Sequence, residues 1–119
     1  MSSRKLGNGY SLALHTGCGT HLTLVYFNKL KRGYEQDMVK NMAREYFESN
    51  NITEIDLEFD GSHAKRSVKV IGEIEAIISD LQNIFSSFDI DVNQVPHIDL
   101  RGNDVDDLNK VITINDFVY

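Results

Sequence analysis

Two short runs of strand-like alternation, Thr20-His21-Leu22-Thr23-Leu24 and Pro96-His97-Ile98-Asp99-Leu100, constrain the fold of this chain more than any other feature. Successive side chains of a β-strand point to opposite faces, so His21 and Thr23 share one face while Leu22 and Leu24 share the other. The same alternation sets His97 and Asp99 against Ile98 and Leu100. Each run therefore offers an apolar face to a core and sends an imidazole with a polar companion to the opposite side. Two such strands set side by side make a site with two histidines.

A pair of imidazoles facing one space suits a reaction that removes a proton at one oxygen and delivers one at another. The unperturbed imidazole titrates near pH 6.5, so a base and an acid can coexist near neutrality. Phosphodiester cleavage fits this chemistry. A protonated ring stabilises negative charge on phosphate, and the Thr23 hydroxyl can donate to a non-bridging oxygen. Asp99 differs in kind, because an ionised carboxylate donates nothing and repels phosphate. It is expected to orient His97 and favour that ring as proton donor, or else to mark a half-site that has lost activity.

With 119 residues, the chain has room for one domain with a real core: a flexible N-terminus over residues 1–9 and a single domain over 10–119. A formal charge of −6 argues against a broad basic surface for long duplex DNA, whose binding depends on many phosphate contacts. A small anionic substrate in a local pocket is compatible with it. No apolar run approaches the roughly 20 residues of a membrane span, and the first nine residues lack an apolar signal core. The lone Cys18 forms no internal disulfide, so a cytoplasmic, reducing setting is expected. His15, Cys18 and His21 have a metal-like spacing, but no second pair accompanies them, and neither metal nor cofactor is expected.

Periodicity predicts strands at Tyr10 to His15, Thr20 to Phe27, Thr53 to Phe59, Ser67 to Ile71, around His97, and Val111 to Val118. It predicts helices from Glu35 to about Ser49 and from Glu73 to Phe88. The result is an α+β domain in which helices cover antiparallel sheet.

The first motif, within Thr20-His21-Leu22-Thr23-Leu24-Val25-Tyr26-Phe27, and the second, within Val95-Pro96-His97-Ile98-Asp99-Leu100-Arg101, resemble the paired histidine-x-serine/threonine signatures of the 2H phosphoesterases. The second motif departs from that signature by carrying Asp99 in place of a hydroxyl. The resemblance spans about Tyr10 to the C-terminus. It implies a pseudo-two-fold fold of two lobes, with antiparallel sheets flanked by helices, and a central cleft that His21 and His97 enter from opposite sides.

The implied activity is metal-independent hydrolysis of a nucleotide phosphodiester. Substrates implied by the resemblance are a 2′,3′-cyclic phosphate RNA end, a 2′-5′ linkage, or a small cyclic nucleotide of the kind that viral enzymes of this family degrade as an immune messenger. His21 and His97 would be the catalytic pair, one as base and the other as acid in either order. Thr23 and Asp99 would line the substrate site, Lys65 or Arg66 would approach the anion, and Tyr10 would offer a ring on which a base stacks. Tyr26 shares the apolar face of Leu22 and Leu24 by simple alternation and is expected in the core. Two other readings remain: a nucleotide- or RNA-binding module of the same fold without turnover, and an interaction domain that uses exposed strand edges.

Overall fold

The computed structural model describes residues 9–62, 66–114 and 117–118. Strands β1 (Tyr10–Gly17) and β2 (Thr20–Phe27) form an antiparallel hairpin. Its tip runs through Gly17, Cys18 and Gly19, all at positive φ, where glycine at two of the three positions avoids the Cβ clash. Helix α1 (Tyr34–Ser49) follows and buries Val39, Ala43 and Phe47 at four-residue spacing. Then come β3 (Glu54–Asp56), β4 (Glu58–Ser62) and β5 (Ser67–Ile71). Helix α2 (Glu73–Ile84) leads to β6 (His97–Asp99), a 3-10 turn at Val105–Asp107, β7 (Val111–Thr113) and β8 (Phe117–Val118).

Six strands form one antiparallel sheet in the order β4-β5-β6-β2-β1-β8, and β3 pairs with β7 in a separate two-stranded sheet. Helix α2 packs on β2, β3 and β5, and α1 on β1. The architecture is thus α+β with helices against antiparallel sheet. Among the described residues no helix is long and apolar enough to cross a membrane.

Three local differences from the periodicity have physical causes. The alternation from Thr53 to Phe59 predicts one strand, but the chain changes sheets at Leu57: Ile55 pairs with Ile112 on β7, and Phe59 with Val70 on β5. Leu57 is buried at the switch, and its N–H donates to the Lys110 carbonyl at 2.7 Å. The predicted helix to Phe88 ends at Ile84, although Phe85 remains fully buried. Phe27, Phe85 and Phe88 make mutual edge-on contacts with ring centroids 5.2–5.8 Å apart, so apolar spacing persists beyond the helix for a packing reason. The final predicted strand is divided: Val111–Thr113 belongs to the small sheet and Phe117–Val118 lies beside β1.

The histidine strands also differ in placement from the expected arrangement of two lobes. Strand β6 lies between β2 and β5 and joins the first hairpin to the β4–β5 pair in one sheet. The two motifs are hydrogen-bonded neighbours rather than facing walls.

Helices α1 and α2 are linked by the Tyr46 hydroxyl, which donates to Asp80 Oδ2 at 2.8 Å. Partial burial, the hydrogen bond to Asp80 and the negative charge there push the phenol pKa up to about 12.

Candidate active site

The site begins with its floor. Leu14 pairs with Leu22, Leu22 with Ile98, and Ile98 with Val68, making one apolar row across β1, β2, β6 and β5. All four side chains are 2% exposed or less and belong to the core under the helices. Their neighbours in sequence must project from the opposite face.

The antiparallel register places these neighbours in two rows. Because Leu22 lies opposite Ile98, His21 stands beside Asp99 and Thr23 beside His97. On the outer flanks His15 pairs with His21, Ala13 with Thr23, Ser67 with Asp99, and Lys69 with His97. One row reads His15, His21, Asp99, Ser67; the next reads Ala13, Thr23, His97, Lys69. Cross-strand neighbours have Cβ atoms about 4.5–5.5 Å apart and diagonal ones about 7–8 Å apart. His21 and His97 are such a diagonal pair, close enough to flank one phosphate group. A local two-fold through Leu22 and Ile98 exchanges the histidines with each other and Thr23 with Asp99.

Hydrogen bonds define the proton positions on two rings. His97 Nδ1 lies 2.7 Å from the Val95 carbonyl oxygen, which only accepts, so Nδ1 carries a proton. His97 Nε2 is then the position for proton exchange. His15 Nδ1 accepts the Gly17 N–H at 3.3 Å, so a neutral His15 carries its proton on Nε2. Asp99 is exposed, and its Oδ1 accepts the Arg101 N–H at 3.3 Å. The Val95 carbonyl thus orients the His97 ring through Nδ1. His15, His21, Thr23, His97 and Lys69 are all half-buried.

Of the substrate-contacting residues expected from sequence, Thr23 and Asp99 lie in the rows. Tyr10 requires correction. It pairs with Phe27 on the inner face, is 6% exposed and packs against the Phe27 ring at 6.2 Å, so it offers no free stacking surface. Its own strand puts it there, since Tyr10, Leu12 and Leu14 alternate onto one buried face. The irregularity is in β2, a β-bulge: β1 residues Leu12 and Ala13 pair with Val25 and Thr23, leaving Leu24 as an extra residue. Leu24 and Val25 are both buried, and the inserted residue turns Tyr26 onto the outer face with Thr23. The Tyr26 hydroxyl then lies over Gly9, where a Cβ would overlap it.

Lys65 lies outside the described residues. Arg66 is exposed at positive φ and lines a hollow of about 380 Å³ with Val68 and Leu100. Ser67, the end of the His21–Asp99 row, lines the same hollow. Lys69 is the cation found in the histidine rows. Its signal was present in Ser67-Val68-Lys69-Val70, which repeats the polar-apolar alternation of the two histidine strands. His15 joins the site through the hairpin pairing alone. A larger hollow, about 420 Å³, lies on α1 beside Tyr34, Met38 and Met42, away from the rows.

Cys18, at the hairpin tip, is exposed and donates to the Asp107 carbonyl at 3.4 Å. Among the described residues, no group of three or more histidine, cysteine, aspartate or glutamate side chains is placed to hold a metal ion. No protein-family model, curated protein or solved structure matches the chain.

Proposed function

We propose that this protein is a metal-independent phosphodiesterase of the 2H type that hydrolyses a nucleotide phosphodiester with His21 and His97 as the acid–base pair. The observation that carries this reading is the pairing of Leu22 with Ile98, from which the diagonal placement of the two imidazoles follows. The Thr23 hydroxyl and the Lys69 ammonium flank His97 and supply donors for the non-bridging phosphate oxygens. His21, in the adjoining row, takes the proton from water or a ribose hydroxyl as the new P–O bond forms. His97 delivers a proton from Nε2 to the oxygen leaving phosphorus; the roles of the two rings exchange if the substrate binds in the reverse sense.

The pseudo-two-fold relation of the 2H fold enters this proposal through the local two-fold between the motifs. The substrate classes are 2′,3′-cyclic phosphate ends, 2′-5′ linkages and small cyclic nucleotides, acted on in a cytoplasmic setting. Asp99 supports a second reading, in which the same face binds a nucleotide or RNA end without turnover, because a carboxylate stands where a symmetric phosphate site would have a second donor.

Incubation of the protein with these three substrate classes, with chelator present, distinguishes the readings. The catalytic reading expects chromatographically resolved products that vanish with His21→Ala and with His97→Ala. Thermal stabilisation by ligand without product supports binding alone. Full turnover by folded His97→Ala protein sinks the two-histidine mechanism.

A further inference from the structure

We infer that Asp99 reads a free ribose hydroxyl beside the phosphate, which directs the site to ribonucleotide linkages carrying an unesterified vicinal hydroxyl. This rests on the phosphate-binding reading above. The two rows differ in chemistry. Thr23, His97 and Lys69 supply a hydroxyl, an imidazole and an ammonium, all able to donate to an anion. In the other row Asp99 is an acceptor set between His21 and Ser67. A phosphate over both rows would be repelled at the Asp99 corner, whereas a ligand with phosphate over one row and a hydroxyl over the other satisfies both.

The geometry of Asp99 suits that role. Its Oδ1 is held by the Arg101 N–H, which orients the carboxylate from its own chain. The residue is exposed, so a ligand hydroxyl can reach it. It stands about 5 Å from His21 at the Cβ level, as cross-strand neighbours do. The rows are two residues apart, about 7 Å along the strand, a gap that a ligand held by one side chain from each row can bridge. A ribose hydroxyl vicinal to its phosphate ester therefore spans them. Such a hydroxyl is free in 2′-5′ and 3′-5′ linkages and absent from a 2′,3′-cyclic phosphate, where both oxygens are esterified. Asp99 thus favours internucleotide linkages over cyclic ends.

Binding of adenosine 3′-monophosphate and its 2′-deoxy counterpart, neither of which presents a diester to cleave, tests the inference by calorimetry or NMR titration. The intact protein should bind the ribonucleotide about ten-fold or more tightly, the effect of one hydrogen bond to a charged acceptor. Asp99→Ala should remove the preference by weakening the ribonucleotide alone, with circular dichroism confirming its fold. Equal binding of both ligands by the intact protein, weakened by Lys69→Ala, overturns the role of Asp99 and leaves the phosphate site standing. An undiminished preference in Asp99→Ala has the same meaning. Binding of neither ligand removes the phosphate reading and this inference with it.

Discussion

Thr23 and His97 stand side by side on neighbouring antiparallel strands, because the residue before one and the residue after the other, Leu22 and Ile98, are partners in the core. A hydroxyl and an imidazole from distant parts of the sequence are thereby held one strand spacing apart. Their separation depends on apolar packing beneath the sheet. In the phosphodiesterase proposal, His21→Ala and His97→Ala each lower kcat by about 100-fold or more while circular dichroism remains that of the parent. Retention of parental kcat by either folded variant contradicts it.

Lys69 pairs with His97, whereas Arg66 precedes β5 and lines the hollow beside Leu100. Lys69→Ala should raise KM for a nucleotide phosphodiester about ten-fold, through loss of one charge-assisted contact. The parent's KM should rise more steeply with salt than that of the variant. Arg66→Ala should leave KM nearly unchanged. Steady-state kinetics at two ionic strengths checks both expectations, and a larger KM change for Arg66→Ala than for Lys69→Ala assigns the phosphate contact to Arg66 instead.

The Ile98 side chain is completely buried at the centre of the apolar row. Ile98→Ala should cost about 2–5 kcal/mol of stability by denaturant unfolding, from lost transfer energy and the residual cavity. Lys69→Ala, on the opposite face, should cost far less. Similar losses in both variants would be incompatible with the two-faced sheet.

Gly9 and Tyr26 form a testable steric pair. Gly9→Ala places a methyl where the Tyr26 hydroxyl lies, and the ring must lift away from β1. Tyr26→Phe removes the overlapping oxygen, so the cost of Gly9→Ala should be smaller in that background. The expected non-additivity is about 0.5–1 kcal/mol in a double-mutant cycle followed by thermal unfolding. Strict additivity rules out the contact.

The Tyr46–Asp80 bond predicts an alkaline instability of definite sign. The phenol titrates near 10 when unfolded and near 12 when folded, so the folded state holds its proton more tightly. Its contribution is complete below pH 10 and is lost as pH rises from about 10 to 12. Tyr46→Phe should abolish this component of the fall in melting temperature between those values. An unchanged alkaline profile would falsify the assignment of that component to Tyr46.

The sequence carried the helices well, because Val39, Ala43 and Phe47, and likewise Ile74, Ile77, Ile78 and Leu81, lie on single helical faces. It also showed which side of each histidine strand is polar. The Leu24 bulge was invisible to strict alternation, and that one residue turned Tyr26 to the outer face; the burial of Tyr10, by contrast, was legible in its alternation with Leu12 and Leu14. The sheet change at Leu57 was equally hidden, since both halves of the run keep period two. The partners of the motifs depended on non-local pairing: no local pattern specifies that β6 lies between β2 and β5, and therefore that Lys69 and His15 flank the histidines.

The shared ladder of β2 and β6 also governs how the paired histidines are lost. With both rings mounted on one hydrogen-bonded sheet, their spacing needs no hinge closure to assemble it, and parting them requires melting the centre of the sheet. Heating should therefore disperse the pair in the same cooperative transition that exposes Leu22 and Ile98 to water, without an earlier step in which two intact halves drift apart.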